Sequence, residues 1–234
     1  MKVNNWMIMT FVIVAMFISG CASQPKALDE TFWTQKDTTV AVVISKLPEK
    51  MVLYKEGGQG LLDIAISNVA TDGVNKKLNE LDPTPFIKVR GEFVAKLREE
   101  GYTVIDYEEL IDLKSFPERE KKVGYSQVDY SQLFEDTGAD QIIIISLLGY
   151  GASRGYYGFI PITKPQGMAA VEGVMLDKEQ KILWNTGNSI NDSFIKEPVV
   201  GEWKQKPDYP NLLSASKRAL EKSKVILSDK FFNR

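Results

Sequence analysis

The sequence predicts an α/β fold, a single domain whose mixed sheet of about five strands carries helices packed on it. Three observations lead there. Short β-branched runs alternate with longer amphipathic segments through the first two thirds of the chain, the order that builds parallel strands joined by helical crossovers. One run, "QIIIISLLGY" (Gln141 to Tyr150), is apolar on both alternating faces and so needs cover on both sides, as a central strand does. Two later runs, "MAAVEGVML" and "KILWNTGNSI", are separated only by the polar "DKEQ", the spacing of an antiparallel hairpin.

The elements follow in order. "TTVAVVIS" (Thr38 to Ser45) is a buried first strand. After "KLPEKMVLYKEGGQG", Leu62, Ala65, Ile66, Val69 and Gly73 recur at helical spacing, and Pro83 and Pro85 interrupt the pattern. "FIKVRGEFVAKLREEG" resumes it, with Phe86, Val89, Phe93, Val94 and Leu97 on one side and Gly101 as the stop. "YTVIDY" reads as the second strand and "DYEELIDL" as a short helix beginning in acids. "DYSQLFEDTGAD" is a short helix capped by Asp129 and closed by Gly138. After the central strand comes a long connection, Gly149 to Gln166, and then the hairpin pair. "NDSFIKEPVVGEWKQKPDYP" is irregular and punctuated by proline. A last helix starts near Asn211 with Leu212, Leu213, Ala215, Ala219, Leu220, Ile226 and Leu227 as its apolar set.

Composition excludes several function classes. The chain has no histidine, which removes Ser-His-Asp and Cys-His catalysis and imidazole metal ligands. The formal net charge of −2, with both signs mixed along the chain, argues against nucleic acid. Cys21 is the only cysteine, so no intrachain disulfide can form. Carboxylate pairs such as Glu99/Glu100, Glu108/Glu109 and Glu118/Glu120 lie in charged, solvated segments. The expectation is therefore a protein that is not an enzyme, a carboxylate-based hydrolase being the exception the composition would allow. No sequence feature points to a cofactor or a metal.

The amino terminus is more specific. Lys2 precedes the apolar run "MIMTFVIVAMFI" (Met7 to Ile18), which has the length of a signal-peptide core and is too short for a membrane span of about 20 residues. "ISGC" (Ile18 to Cys21) follows and resembles the lipobox of bacterial lipoproteins, with Ile where Leu is commoner. The resemblance implies a signal peptide over residues 1–20, cleavage after Gly20 and acylation of Cys21. It also implies a lipidated tether over 21–37, in which Phe32 and Trp33 either dock on the domain or rest at the headgroups, and a single α/β domain over 38–234. Two or more acyl chains hold a protein stably on a membrane. Ala22 stands where Asp commonly retains such proteins at the inner membrane, so for a Gram-negative host the resemblance implies the outer membrane, facing the periplasm.

A second resemblance lies downstream. "TGADQIIIISLLGYG", followed by two strands ending in "KILWNTG", resembles the Gly-Ala-Asp, hydrophobic strand and long hairpin pattern of periplasmic lipoproteins. The families concerned are that of the curli secretion channel and, more distantly, the amino-terminal domain of the Tol-system propeller protein. The alternating membrane hairpins of channel-forming members have no counterpart here. The resemblance therefore implies an accessory in envelope assembly, secretion or transport, with an unidentified envelope protein or a second copy of the chain as partner.

Two stretches could carry binding. "GYGASRGYYGFIP" (Gly149 to Pro161) packs four glycines and three tyrosines into its length, but its glycines miss the dinucleotide spacing and no helix follows to receive a pyrophosphate. Tyr150, Arg154, Tyr156, Tyr157 and Phe159 have the composition of a partner surface, or of a lid folded back on its own sheet. "EGGQGLLD" opens a helix with glycines, and Gly58, Gln59 and Gly60 offer backbone N–H groups to a small ligand at the Gly57–Leu61 helix start. It lacks the Gly-Lys-Ser/Thr ending of a phosphate loop, and a tight strand-to-helix turn explains the glycines equally. A small-ligand-binding periplasmic lipoprotein is thus the alternative to the partner-docking reading.

Overall fold

The structure is a computed structural model, and it describes residues 25–57, 71–187 and 193–233. Its elements run α1 (Glu30–Thr34), β1 (Thr39–Ser45), β2 (Val52–Glu56), α2 (described over 71–78), α3 (Lys88–Glu99), β3 (Thr103–Ile111), α4 (Ser131–Thr137), β4 (Gln141–Tyr157), β5 (Ile160–Pro161), β6 (Gln166–Asp177), β7 (Ile182–Asn185), β8 (Phe194–Pro198) and α5 (Pro210–Phe232). The eight strands form one mixed sheet with β3-β1-β4-β6-β7 as its main path.

The spine is the antiparallel pair β4 and β6, registered from Gln141↔Asp177 to Ser153↔Gln166. β1 lies parallel to the first part of β4, Val40 opposite Gln141, and β3 lies parallel to β1 on its outer side. β2 lies parallel to the last part of β4, Val52 opposite Gly151, so β1 and β2 follow one another along the same edge. Across the sheet, β7 pairs with the end of β6 and β8 with its beginning. The early parallel strands, the helical crossovers and the late hairpins are those the sequence predicts.

Strand alternation sorts side chains onto two faces. On one, Val42, Ile44, Ile143, Ile145, Tyr150, Val171 and Met175 pack with Phe93 and Leu97 of α3 and Leu212, Leu220 and Leu227 of α5. On the other, Ala41, Val43, Ile142, Ile144 and Leu176 pack with Leu133 and Phe134 of α4. α5 approaches the sheet at Gly167, where a Cβ would stand 2.1 Å from the Ala215 carbonyl carbon, so no larger residue fits there without moving the helix. Phe32 and Trp33 of α1 dock on the domain rather than standing away from it. The Phe32 ring stacks on Tyr102 at 4.7 Å, and the Tyr102 hydroxyl donates to the Phe32 carbonyl.

Four expectations need correction. Among the described residues the sheet has eight strands, not about five, because β2, β5 and β8 are short elements on its margins. "DYEELIDL" is not a helix: through Ile111 it continues β3. The register shifts where Tyr107, Glu108 and Glu109 bulge from β3 opposite the single Val43 of β1, and Arg90 of α3 fastens the strand there, its Nη1 donating to the Tyr107 and Glu108 carbonyls and its Nε 2.7 Å from Asp106 Oδ1. Pairing with β1 overrides the local preference for a helix start in acids. The connection after the central strand shrinks to 158–165, because β4 runs on through Tyr157. Finally, "FIKEP" (Phe194–Pro198) forms β8 and is not irregular.

Candidate functional site

The glycine-tyrosine stretch is the distal half of β4, and its glycines have steric causes. A Cβ on Gly149 would stand 2.4 Å from the Tyr54 hydroxyl, and one on Gly151 2.4 Å from the Val52 carbonyl oxygen. Gly151 also has φ of +141°, which side chains rarely adopt. The glycines let β2 lie close against β4. Leu148 is the extra residue of a bulge opposite β6 and points outward.

The aromatic candidates divide between inside and outside. Tyr150 is fully buried in the main core, and burial pushes its hydroxyl pKa up. Tyr156 is buried as well. Tyr157 is 78 % exposed and Phe159 51 %, and they share the hairpin end with Ile160 at 52 % and Ile162 at 64 %. This end is held by its own backbone: Tyr157 pairs with Ile160 and Tyr156 with Pro161, while the Ile162 N–H donates to the Gly155 carbonyl at 2.9 Å. The apolar tip is thus an ordered feature at the free end of the longest strand.

Arg154 sits at the root of the tip. Its Nε donates to the Thr163 carbonyl at 2.7 Å, and its guanidinium carbon lies 4.9 Å from the centre of the Trp203 ring. It opens on a cleft of about 380 Å³ lined also by Glu56, Ser153, Lys164, Gln166 and Gly201. In that cleft Glu56 is bridged through Oε2 to Lys196 at 2.8 Å, while its buried Oε1 accepts no hydrogen bond among the described residues. Sequence reasoning missed Glu56, Lys196 and the partnership of Trp203 with Arg154. The only local signal was a tryptophan in a Gly- and Pro-punctuated segment. A second cleft, of about 260 Å³, is lined by Tyr54, Leu148, Gly149, Ala170, Glu172, Ser193 and Phe194, and burial raises the Glu172 carboxyl pKa.

Cys21 and the candidate ligand residues Gly58, Gln59 and Gly60 lie outside the described residues. Gly57 is described, and its glycine has a steric cause too: a Cβ there would stand 2.2 Å from the Tyr156 carbonyl oxygen. Among the described residues no group of three His, Cys, Asp or Glu side chains could hold a metal ion, and no helix is long and apolar enough to cross a membrane.

No family model matches the chain, and no curated protein matches it. Solved structures do. Lipoprotein GNA1162 from Neisseria meningitidis is 16 % identical, with a TM-score of 0.29, the match covering 81 % of this chain and 99 % of that one. The hypothetical protein CT253 from Chlamydia trachomatis is 10 % identical, with a TM-score of 0.30, covering 82 % and 97 %. The chain is weakly similar to these proteins in fold. These likenesses do not show a curli-secretion or Tol-type identity for the chain, and superpositions this loose carry no argument about function.

Proposed function

We propose that this chain is a lipid-anchored accessory protein of the cell envelope that works by docking an envelope protein through the tip of its β4–β6 hairpin. The observation that carries this reading is the ordered apolar tip of Tyr157, Phe159, Ile160 and Ile162. Four large apolar side chains exposed together at one end of a strand are more than the scattered surface hydrophobes of an ordinary domain. Aromatic side chains at such a site have the large, stiff contact area that dominates interface energetics. The lipobox-like "ISGC" supports the anchor, with Cys21 acylated, the domain on the periplasmic side of the outer membrane of a Gram-negative host, and position rather than catalysis as the mechanism.

Two measurements test it. Cys21→Ala moves the protein from the membrane to the soluble fraction; retention in the membrane contradicts the anchor. A photo-crosslinking residue at Phe159 gives a discrete adduct in native membranes, while the same group at Val123, an exposed residue of the 121–125 loop, gives none. Equal labelling from both positions contradicts the docking surface. An adduct of twice the chain's mass replaces the envelope partner with a second copy of the chain.

A further inference from the structure

We infer that the cleft between β2 and β8 binds an alkylammonium group, a positively charged amine on an apolar stem. The inference stands on Tyr54, Glu172 and Phe194 and not on the exposed tip, so the two readings can fail separately.

Strand pairing puts the three side chains on one face of the sheet. Ala169, Val171 and Ile195 point into the main core, so their neighbours Ala170, Glu172 and Phe194 leave the opposite face. Register carries the row across the sheet: Phe194 lies opposite Ala170, and Ala170 opposite Gly149. Tyr54 completes the row, its hydroxyl over the place that a Cβ on Gly149 would take. Gly149 and Ala170 thus make a low floor. The Tyr54 and Phe194 rings lean in over it with their centroids 6.2 Å apart, and with Leu148 they give the cleft an apolar lining. Glu172, two residues along β6 from Ala170, is the one charged side chain among the described residues of that lining.

Glu172 lacks a counter-ion. It is half-buried, so its carboxyl keeps surface open to the cleft, yet it has no ion pair and no hydrogen bond among the described residues. Burial raises its pKa, and no described lysine or arginine offsets the effect. A desolvated carboxylate is stabilised most by an opposite charge that also donates hydrogen bonds. Aromatic rings attract a cation within about 6 Å of their centres. An ammonium group meets both, and the apolar lining suits a hydrocarbon stem where a metal ion would want more oxygen ligands. The volume of about 260 Å³ falls short of the roughly 300–1,000 Å³ of sites for larger ligands, so the group is the size of a side chain. A free alkylamine and the lysine side chain of a protein share this chemistry.

The test is calorimetric titration of the full-length protein in a nonionic detergent with butylammonium, Nα-acetyl-lysine methylamide and butan-1-ol. It is run at about pH 8, well above the ordinary carboxylate range. Butylammonium binds saturably. Butan-1-ol, similar in shape but uncharged, binds about ten- to a hundredfold more weakly, the range of a charge-assisted hydrogen bond. Glu172→Gln loses affinity for the amine by a similar factor, and Val225→Ser, at an exposed position of α5 across the sheet, leaves it unchanged. Should Glu172→Gln fail to fold, the comparison of amine with alcohol on the unaltered protein still decides. Tighter binding of the lysine derivative than of butylammonium supports the site and assigns it to a protein side chain; the reverse order supports it and assigns it to a free amine. Equal binding of amine and alcohol, no saturable binding of either amine at millimolar concentration, or an affinity unchanged by Glu172→Gln overturns the proposal.

Discussion

Two tyrosines of one glycine-rich stretch should respond to mutation in opposite ways. Tyr150 is fully buried and belongs to the main core; Tyr157 is 78 % exposed at the hairpin tip. Truncating a large buried aromatic side chain costs about 3–5 kcal/mol, from lost burial and the cavity left behind. Surface substitutions stay within about 0.5 kcal/mol. For a domain of this size each kcal/mol moves the melting temperature by about 2–4 °C, so Tyr150→Ala lowers Tm by about 6–20 °C and Tyr157→Ala by about 2 °C or less. Tyr150→Phe keeps the ring and costs no more than about 1.5 kcal/mol, a hydrogen bond's worth. Thermal and urea unfolding followed by tryptophan fluorescence reads all three. A Tyr157→Ala loss as large as that of Tyr150→Ala would mean that the tip folds back on its own sheet, and would refute the division of the stretch into core and surface.

Other substitutions probe the frame. Gly167→Ala puts a methyl group against the backbone of α5 and costs about 1–3 kcal/mol as overpacking, whereas Gly91→Ala on α3, with nothing within 4 Å of its Cβ, gains about 0.5–1 kcal/mol in helix propensity. Paired urea titrations compare them, and a neutral Gly167→Ala would contradict the close packing of α5. Asp129 accepts from the Ser131 hydroxyl at 2.6 Å, from Gln180 Nε2 at 2.7 Å and from the Ser131 N–H at 3.0 Å; these bonds, the hydroxyl first, lower its pKa to about 2. A lowered folded-state pKa stabilises above the unfolded value of 3.8 and loses that contribution as pH falls toward 2. The N-cap of α4 is Tyr130 and not Asp129 as the sequence suggests. Asp129→Ala therefore costs about 0.5–1.5 kcal/mol at pH 7, a lost hydrogen bond's worth, and the gap to the wild type closes between about pH 4 and pH 2. A gap unchanged across that window would show that Asp129 does not act through its charge.

Much of the architecture was legible because burial on two faces leaves a plain mark. β1 and the first half of β4 are continuous aliphatic runs, and α3 and α5 show apolar residues at helical spacing. What escaped lies on the margins. β2 and β8 are five residues long and mostly half-exposed, and β5 has two residues, so none buries enough to reveal a period. β3 was half-read because its acids suit a helix start, while its pairing with β1 and the Arg90 contacts are tertiary. In the candidate site, a two-residue period carried through the glycines would have put Tyr156 and Tyr157 on opposite faces. The glycines suggested a loop instead, although they are there to admit Tyr54 and the backbone of β2. The meeting of Arg154 with Trp203, and of Glu56 with Lys196, joins residues far apart in the chain and left no local trace.

The measurement that tests the docking account most directly combines folding and contact in one variant. Tyr157→Ser with Phe159→Ser, carrying the photo-crosslinking residue at Ile162 beside the altered pair, is compared with the unaltered tip bearing the same group. The account predicts a melting temperature within about 4 °C of the parent, two surface substitutions' worth, and loss of the discrete membrane adduct. An adduct that persists undiminished while the fold is intact would contradict it.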